Sequence, residues 1–269
     1  MEETKTYPVQ LVSLNLPSRH NPRLQQVQER INQDIELQTL WHCANINAMD
    51  RAGITDHGPV HIRIIANIAL KLLRLLVTGG VTPSVVKDHG LTAEDAEVVV
   101  VLATALHDVG IAVHRDGHEG YSVIMADRMV GRFLERIYPP TEATVMAAEV
   151  LHAVAAHRRD QWCLTVEAGV VKVADALDMT EGRSRIPFEA GDVNIHSVSA
   201  QAIEEVHLLK GERRPVRIEI VLSNSAGIFQ VDELLKGKLR HSGIHKHVEV
   251  VARIEGEAEK RILSFYEIS

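Results

Sequence analysis

His107-Asp108 closes an apolar run, Val98 through Leu106, and stands between His61 upstream and Asp175 downstream, each in its own helix-patterned segment. Neutral imidazole nitrogens and ionised carboxylate oxygens are the donors that divalent ions accept, and a His followed at once by an Asp at a helix end supplies both kinds together. The set reads as a metal site, with Asp108 placed both to hold an ion and to orient a water molecule. Each residue also has a plainer explanation. His61, among Val60, Ile64 and Ile65, would alone pass for a core histidine, and His107 would suit the negative end of a helix dipole. Asp175, in VVKVADALD, must face something cationic, because an unpartnered buried carboxylate is costly. Lys172, one turn earlier, is the local alternative to a metal ion.

Three segments, PVHIRIIANIA, ALHDVG and VVKVADALD, give the order His, then His-Asp, then Asp. In this the chain resembles the HD-domain superfamily of metal-dependent phosphohydrolases over roughly residues 57 to 188, and Arg63 matches a frequent basic position there. The resemblance implies a mainly α, HD-type helical bundle. It also implies one or two divalent ions, Mn, Fe, Ni, Zn or Mg, held by His61, His107, Asp108 and Asp175. Dinuclear members add one histidine after the doublet and another at the end of the next helix. His118 and His157 fit those places; His114 competes with the first and His152 with the second. The HD-GYP subgroup does not fit, since Ile111 stands where it has lysine and Gly120-Tyr121 is followed by serine.

The chemistry so implied is hydrolysis of a phosphate ester or anhydride in a nucleotide or related small metabolite, because a divalent ion acidifies water and offsets charge on phosphate oxygens. Arg183 and Arg185 in GRSRIP, with Lys172 and Arg115, are the expected phosphate contacts, since arginine forks match phosphate oxygens. Their alternative is ion pairing with Glu181 or Glu189. Asp178 is read as facing solvent or backing the ligands, and His57 as a loop or supporting residue. Two other readings share the fold: a di-iron oxygenase, and a nucleotide-sensing HD module that does not catalyse.

The elements that must position these groups follow from periodicity. Residues 7 to 16 are expected as a strand or extended arm, and a first helix over about 22 to 50, from the spacing of Leu24, Val27, Ile31 and Ile35. A second runs from about Asp56–Pro59 to Gly79-Gly80. A third starts at the Thr92/Asp95 capping pattern and ends at the doublet. Three more are expected over about 121 to 137, 141 to 157 and 165 to 179. Residues 203 to 209, 216 to 222 and 248 to 254 alternate as strands, with a helix over 231 to 239. The reading is a helical metal-binding domain, residues 1–189, followed by a small α+β, ferredoxin-like domain, residues 190–269. That second part is expected to serve regulation or oligomerisation and to carry no chemistry, with His245 and His247 not ligands.

Composition narrows the class. The 269 residues, 45% of them hydrophobic and 24% charged, suffice for a full core. A net charge of -7, from 29 basic and 36 acidic residues, argues against nucleic acid as the main partner. Lys71 and Arg74 interrupt the longest apolar stretch, so no membrane span is expected, and a cytoplasmic homo-oligomer is. Cys43 and Cys163 have no Cys-x-x-Cys spacing. The 15 histidines are the anomaly, eight of them between positions 57 and 157.

Overall fold

The computed structural model describes residues 11–179, 202–255 and 265–268. Residues 180–201, with Arg183, Arg185, His196 and the expected boundary near 190, lie outside the described residues, as do residues 7 to 10 of the expected arm. The remainder of that arm, 11–16, is irregular, with Asn15 at φ 50°, and joins no sheet.

Eight helices precede the sheet among the described residues: α1 (Pro22–Gln33), α2 (Ile35–Asn45), α3 (Pro59–Thr78), α4 (Ser84–His89), α5 (Ala93–Leu106), α6 (His118–Leu134), α7 (Pro140–Ala156) and α8 (Val166–Leu177). None is long and apolar enough to cross a membrane. The expected single helix over 22 to 50 is instead broken at Asp34, whose backbone is extended and whose carboxylate accepts Leu37 N at 2.8 Å. A side chain that caps a new helix competes with continuing the old one. After α2 the chain passes through a π-helical turn, Ile46–Arg51. The short α4 went unpredicted, because six residues carry too little periodicity.

Helix α5 is the axle of the bundle. From Asp95 through Leu106 all its residues are buried, as an apolar run without a polar face requires. Thr92 and Asp95 form the expected capping box, and Asp95 also binds Arg23 and the Tyr138 hydroxyl, both at 2.7 Å. At the other end Trp41 Nε1 donates to Ala105 O at 2.8 Å, so the last turn before the doublet is tied to α2. Glu167, buried on α8, accepts Ser84 N and Val85 N, each at 3.1 Å, and fixes α8 to α4.

The second part is a four-stranded sheet in the order β1 (Ile203–Lys210), β2 (Val216–Leu222), β3 (Val248–Ile254), β4 (Phe265–Ile268). β1 and β2 form an antiparallel hairpin, β3 lies parallel to β2, and β4 antiparallel to β3. The parallel step needs a crossover. It is supplied by a helical stretch: α9 (Gly227–Gln230), a π-helical Val231–Leu235, and α10 (Lys236–His241). The small α+β expectation holds, but the ferredoxin-like arrangement does not. Among the described residues the order is ββαββ with a parallel central pair, not the alternating βαββαβ of that fold.

Helices and sheet share one continuous apolar core, running from Leu14 and Trp41 through Val98–Leu106 to Ile218 and Val250. The sheet segment docks on α8 by close backbone approach: a Cβ at Gly169 would lie 2.2 Å from Ser242 O. Cys163 N donates to His241 O at 2.9 Å, and the Trp162 and His241 rings meet edge-on at 4.8 Å. Gly169→Ala should therefore force α8 and the α10 turn apart and lower stability by about 2–3 kcal/mol, the upper range for overpacking. Urea unfolding measures it; a change within experimental error would mean that this approach is not constrained.

Candidate metal centre

The ends of five helices meet around Asp108. His61 stands in the first turn of α3, His107 and Asp108 directly follow α5, His118 opens α6, and His157 follows α7. Asp175 comes from the last turn of α8. Local geometry places them. Gly110 lies in a 3-10 turn, Val109–Ala112, and its N–H donates to Ser122 Oγ at 2.9 Å. A Cβ there would meet His118 O at 2.2 Å and Ser122 N at 2.4 Å. Only glycine lets this turn press against the start of α6 and bring His118 to the doublet. Gly117, at φ 70°, sits just before His118.

Backbone carbonyls set the imidazole protons. His107 Nδ1 lies 2.9 Å from Thr104 O, and His157 Nδ1 2.5 Å from Val154 O. Each Nδ1 therefore carries a proton, which leaves Nε2 as the atom able to offer a lone pair whenever the ring is neutral. His61 Nδ1 lies 2.6 Å from Asp178 Oδ2, which assigns it likewise. His118 Nδ1 meets both Arg115 O at 3.0 Å and Arg115 Nη1 at 2.8 Å, so both tautomers are served there.

Those lone pairs point at carboxylate oxygens. Asp108 Oδ2 is 3.1 Å from His107 Nε2 and 3.5 Å from His61 Nε2; Asp175 Oδ1 is 3.9 Å and 3.6 Å from the same atoms. Asp108 Oδ1 is 3.1 Å from His118 Nε2 and 3.7 Å from His157 Nε2, and the last two nitrogens are 3.1 Å apart. His107 Nε2 is fully buried and makes no hydrogen bond to any described residue. Acceptors gathered on acceptors in a buried space need a cation. Two ligands held at about 2.1 Å by one ion are themselves about 3–3.5 Å apart; the separations here run from 3.1 to 3.9 Å. The donors form two groups able to hold an ion, His61–His107–Asp108 and Asp108–His118–His157, which share Asp108.

Burial opposes charge on Asp108, but the surrounding imidazoles, His107 foremost, hold its carboxyl well below the usual range. Burial opposes charge on Asp175 too, and Lys238, then His107 and His61, outweigh it. Burial, with His107 beside it, pushes His157 down to about 3, so it is neutral and ready to ligate. His118 is raised: burial pulls it down, but the hydrogen bond and charge of Asp108 prevail.

All six residues expected as ligands are thus brought together. The competing histidines are engaged elsewhere: His114 Nδ1 accepts Asp116 N at 3.0 Å, and His152 Nε2 accepts Leu164 N at 3.0 Å. Asp178, expected to be solvent-facing or supporting, is buried and backs His61. His57 stands beside it, ring centroids 5.4 Å apart, with Nδ1 2.6 Å from Thr55 O. Arg115, exposed, flanks His118 at the rim. Lys172 requires correction. It is fully buried and its ammonium donates to Gln161 O in the connection between α7 and α8, so it is not placed to meet substrate phosphate. The cation on Asp175 is Lys238, whose Nζ binds Oδ2. The sequence carries no signal for that pairing, which joins residues 63 positions apart. Through it the segment expected to carry no chemistry touches one of the expected ligands.

His107→Ala or Asp108→Ala should abolish stoichiometric binding of Mn²⁺. His118→Ala and His157→Ala should each lower metal content by about one ion per chain, with circular dichroism unchanged, and His114→Ala and His152→Ala should lower it by none. Elemental analysis decides; a count untouched by His118→Ala and His157→Ala would leave a single ion. Asp178→Ala, which frees the His61 ring, should weaken Mn²⁺ binding roughly 10–100-fold. Titration calorimetry showing unchanged affinity would mean that Asp178 does not orient His61.

The chain matches the HD domain family over residues 61–180. It is also 45% identical to an uncharacterised protein of Methanocaldococcus jannaschii over 222 residues, 82% of this chain and 86% of the relative. The doublet, its flanking His and Asp, the helical setting and these matches together place the chain in the HD-domain superfamily.

Proposed function

We propose that this protein is a metal-dependent phosphohydrolase acting on a phosphate ester or anhydride of a nucleotide or related small metabolite. The observation that carries the reading is Asp108, one carboxylate with an oxygen toward each of two histidine groups. A divalent pair bound there would supply Lewis acidity toward phosphate oxygens and an acidified water. His61, His107, Asp108 and Asp175 would hold one ion, and Asp108, His118 and His157 the other.

The chain's own groups do the rest. Asp108 holds its charge while buried, and a carboxylate that keeps two acceptor oxygens can fix the attacking water through one proton. Asp178 keeps His61 in one tautomer. The apolar wall of α5 excludes bulk water from the inner side, so that electrostatic contacts inside are strong. Arg115 at the rim is a bidentate donor for phosphate oxygens, and its contact to His118 holds it near the centre. Arg183 and Arg185 stay in the proposal on sequence grounds, following the Asp175 segment by a few residues. Residues 190–269 are proposed to serve assembly or regulation as well, in a cytoplasmic homo-oligomer.

The test is a panel of nucleotides and phosphorylated metabolites with protein stripped of metal and reloaded in turn with Mn²⁺, Fe²⁺, Ni²⁺, Zn²⁺ and Mg²⁺. Phosphate release should require the ion and fall by more than roughly 100-fold in His107→Ala, beyond the effect of a supporting residue. Iron-dependent oxygen uptake without phosphate release would make the protein a di-iron oxygenase, and nucleotide binding without turnover would make it a sensor.

A further inference from the structure

The sheet segment contributes a side chain to the centre. Docking of α10 on α8 rests on Gly169 against Ser242, Cys163 N on His241 O, and Arg159 Nη2 on Glu233 O at 2.6 Å. This fixes α10 in one register and sets Lys238 Nζ on Asp175 Oδ2, while Asp175 Oδ1 faces His61 and His107.

Exposure orders these groups along one direction. The His61 and His107 side chains are 0% exposed, Asp175 13% and Lys238 20%, so the ammonium lies on the solvent side of the ligands. An ammonium has three N–H donors. Among the described residues Asp175 is the one acceptor that Nζ meets, so two donors remain for another oxygen. A purely structural counter-ion for Asp175 would be simplest from Lys172, one turn away on the same helix. That lysine is instead held by Gln161 O, and the cation comes from another segment at the open edge. The second rim cation, Arg115, stands at the opposite end of the ligand chain, beside His118.

We propose that Lys238 is a substrate-binding residue that takes a phosphoryl oxygen of the substrate, so that the site is composite, built by the bundle and completed by the sheet segment. The substrate class it selects is a phosphoryl dianion open to solvent on one side, as in a phosphomonoester. This rests on the hydrolase reading for its substrate, but binding tests it without turnover.

The experiment loads wild type, Lys238→Ala, Lys238→Gln and Lys238→Arg with Mn²⁺ and measures metal content, then titrates each with inorganic phosphate by calorimetry. Metal content should be the same in all four. Phosphate Kd should rise about 10–100-fold in the Ala and Gln variants, as expected for loss of a hydrogen bond from a charged donor, and return to within a few-fold of wild type in the Arg variant. With a turned-over substrate, KM should rise more than kcat falls. Phosphate affinity within twofold of wild type, absence of phosphate binding by the loaded wild type, or loss of Mn²⁺ from the Gln variant would each overturn the proposal. The last result would show that Lys238 acts only through Asp175. Phosphate binding that depends on Lys238 without any turnover would sink the hydrolase reading and leave the binding role standing.

Discussion

Asp108 is 3% exposed and lies where the Nε2 atoms of four histidines meet. Three of those rings have their Nδ1 protons committed to Thr104 O, Val154 O or Asp178, so that each neutral ring turns its Nε2 lone pair to the centre. In water such groups would be hydrated; in an apolar bundle they repel unless a cation neutralises them. The rest of the structure serves this arrangement. Helix α5 is apolar on every side because it must run through the middle of the bundle to deliver two polar residues at its end. Trp41 and Gly110 fix α2 and α6 against it, and Glu167 ties α8 to α4, so ligands from five helix ends keep their spacing to within a metal's tolerance.

That tolerance explains why the carbonyl contacts matter as much as the ligands. An imidazole free to flip would offer a proton to Asp108 half the time and make a stable hydrogen-bonded pair, with no need for metal. Holding Nδ1 on a backbone carbonyl fixes the neutral tautomer whose Nε2 can ligate an ion. His118 is the exception, since Arg115 offers Nδ1 both a donor and an acceptor. Protein stability and metal occupancy are accordingly coupled: whatever binds the folded centre and not the unfolded chain stabilises the fold.

Much of this was legible in the sequence. His61, His107, Asp108 and Asp175 stand out because their residue types conflict with their apolar surroundings, and the helices carrying them have clear caps and stops at Pro59, Thr92 and Thr165. His118 and His157 needed the resemblance to choose them, since position alone does not reveal that His114 and His152 turn their ring nitrogens to backbone N–H groups. Helical spacing gives Lys172 proximity to Asp175 but not its side-chain direction, and its long stem runs into the connection after α7. Lys238 was illegible for a different reason. Its place depends on how a sheet segment docks on α8, a contact made by Gly169 and Ser242 through shape rather than pattern. Asp34 did carry a signal, an N-cap residue ahead of a new acidic first turn, that the apolar periodicity through it concealed.

The central claim is that one carboxylate serves two ions. Anomalous X-ray diffraction from crystals of Mn²⁺-loaded protein tests it most directly. Two peaks about 3.5–4 Å apart are predicted, one within bonding reach of His61, His107 and Asp108 and the other of His118, His157 and Asp108. A single peak, or two peaks of which one leaves Asp108 uncoordinated, would contradict the account.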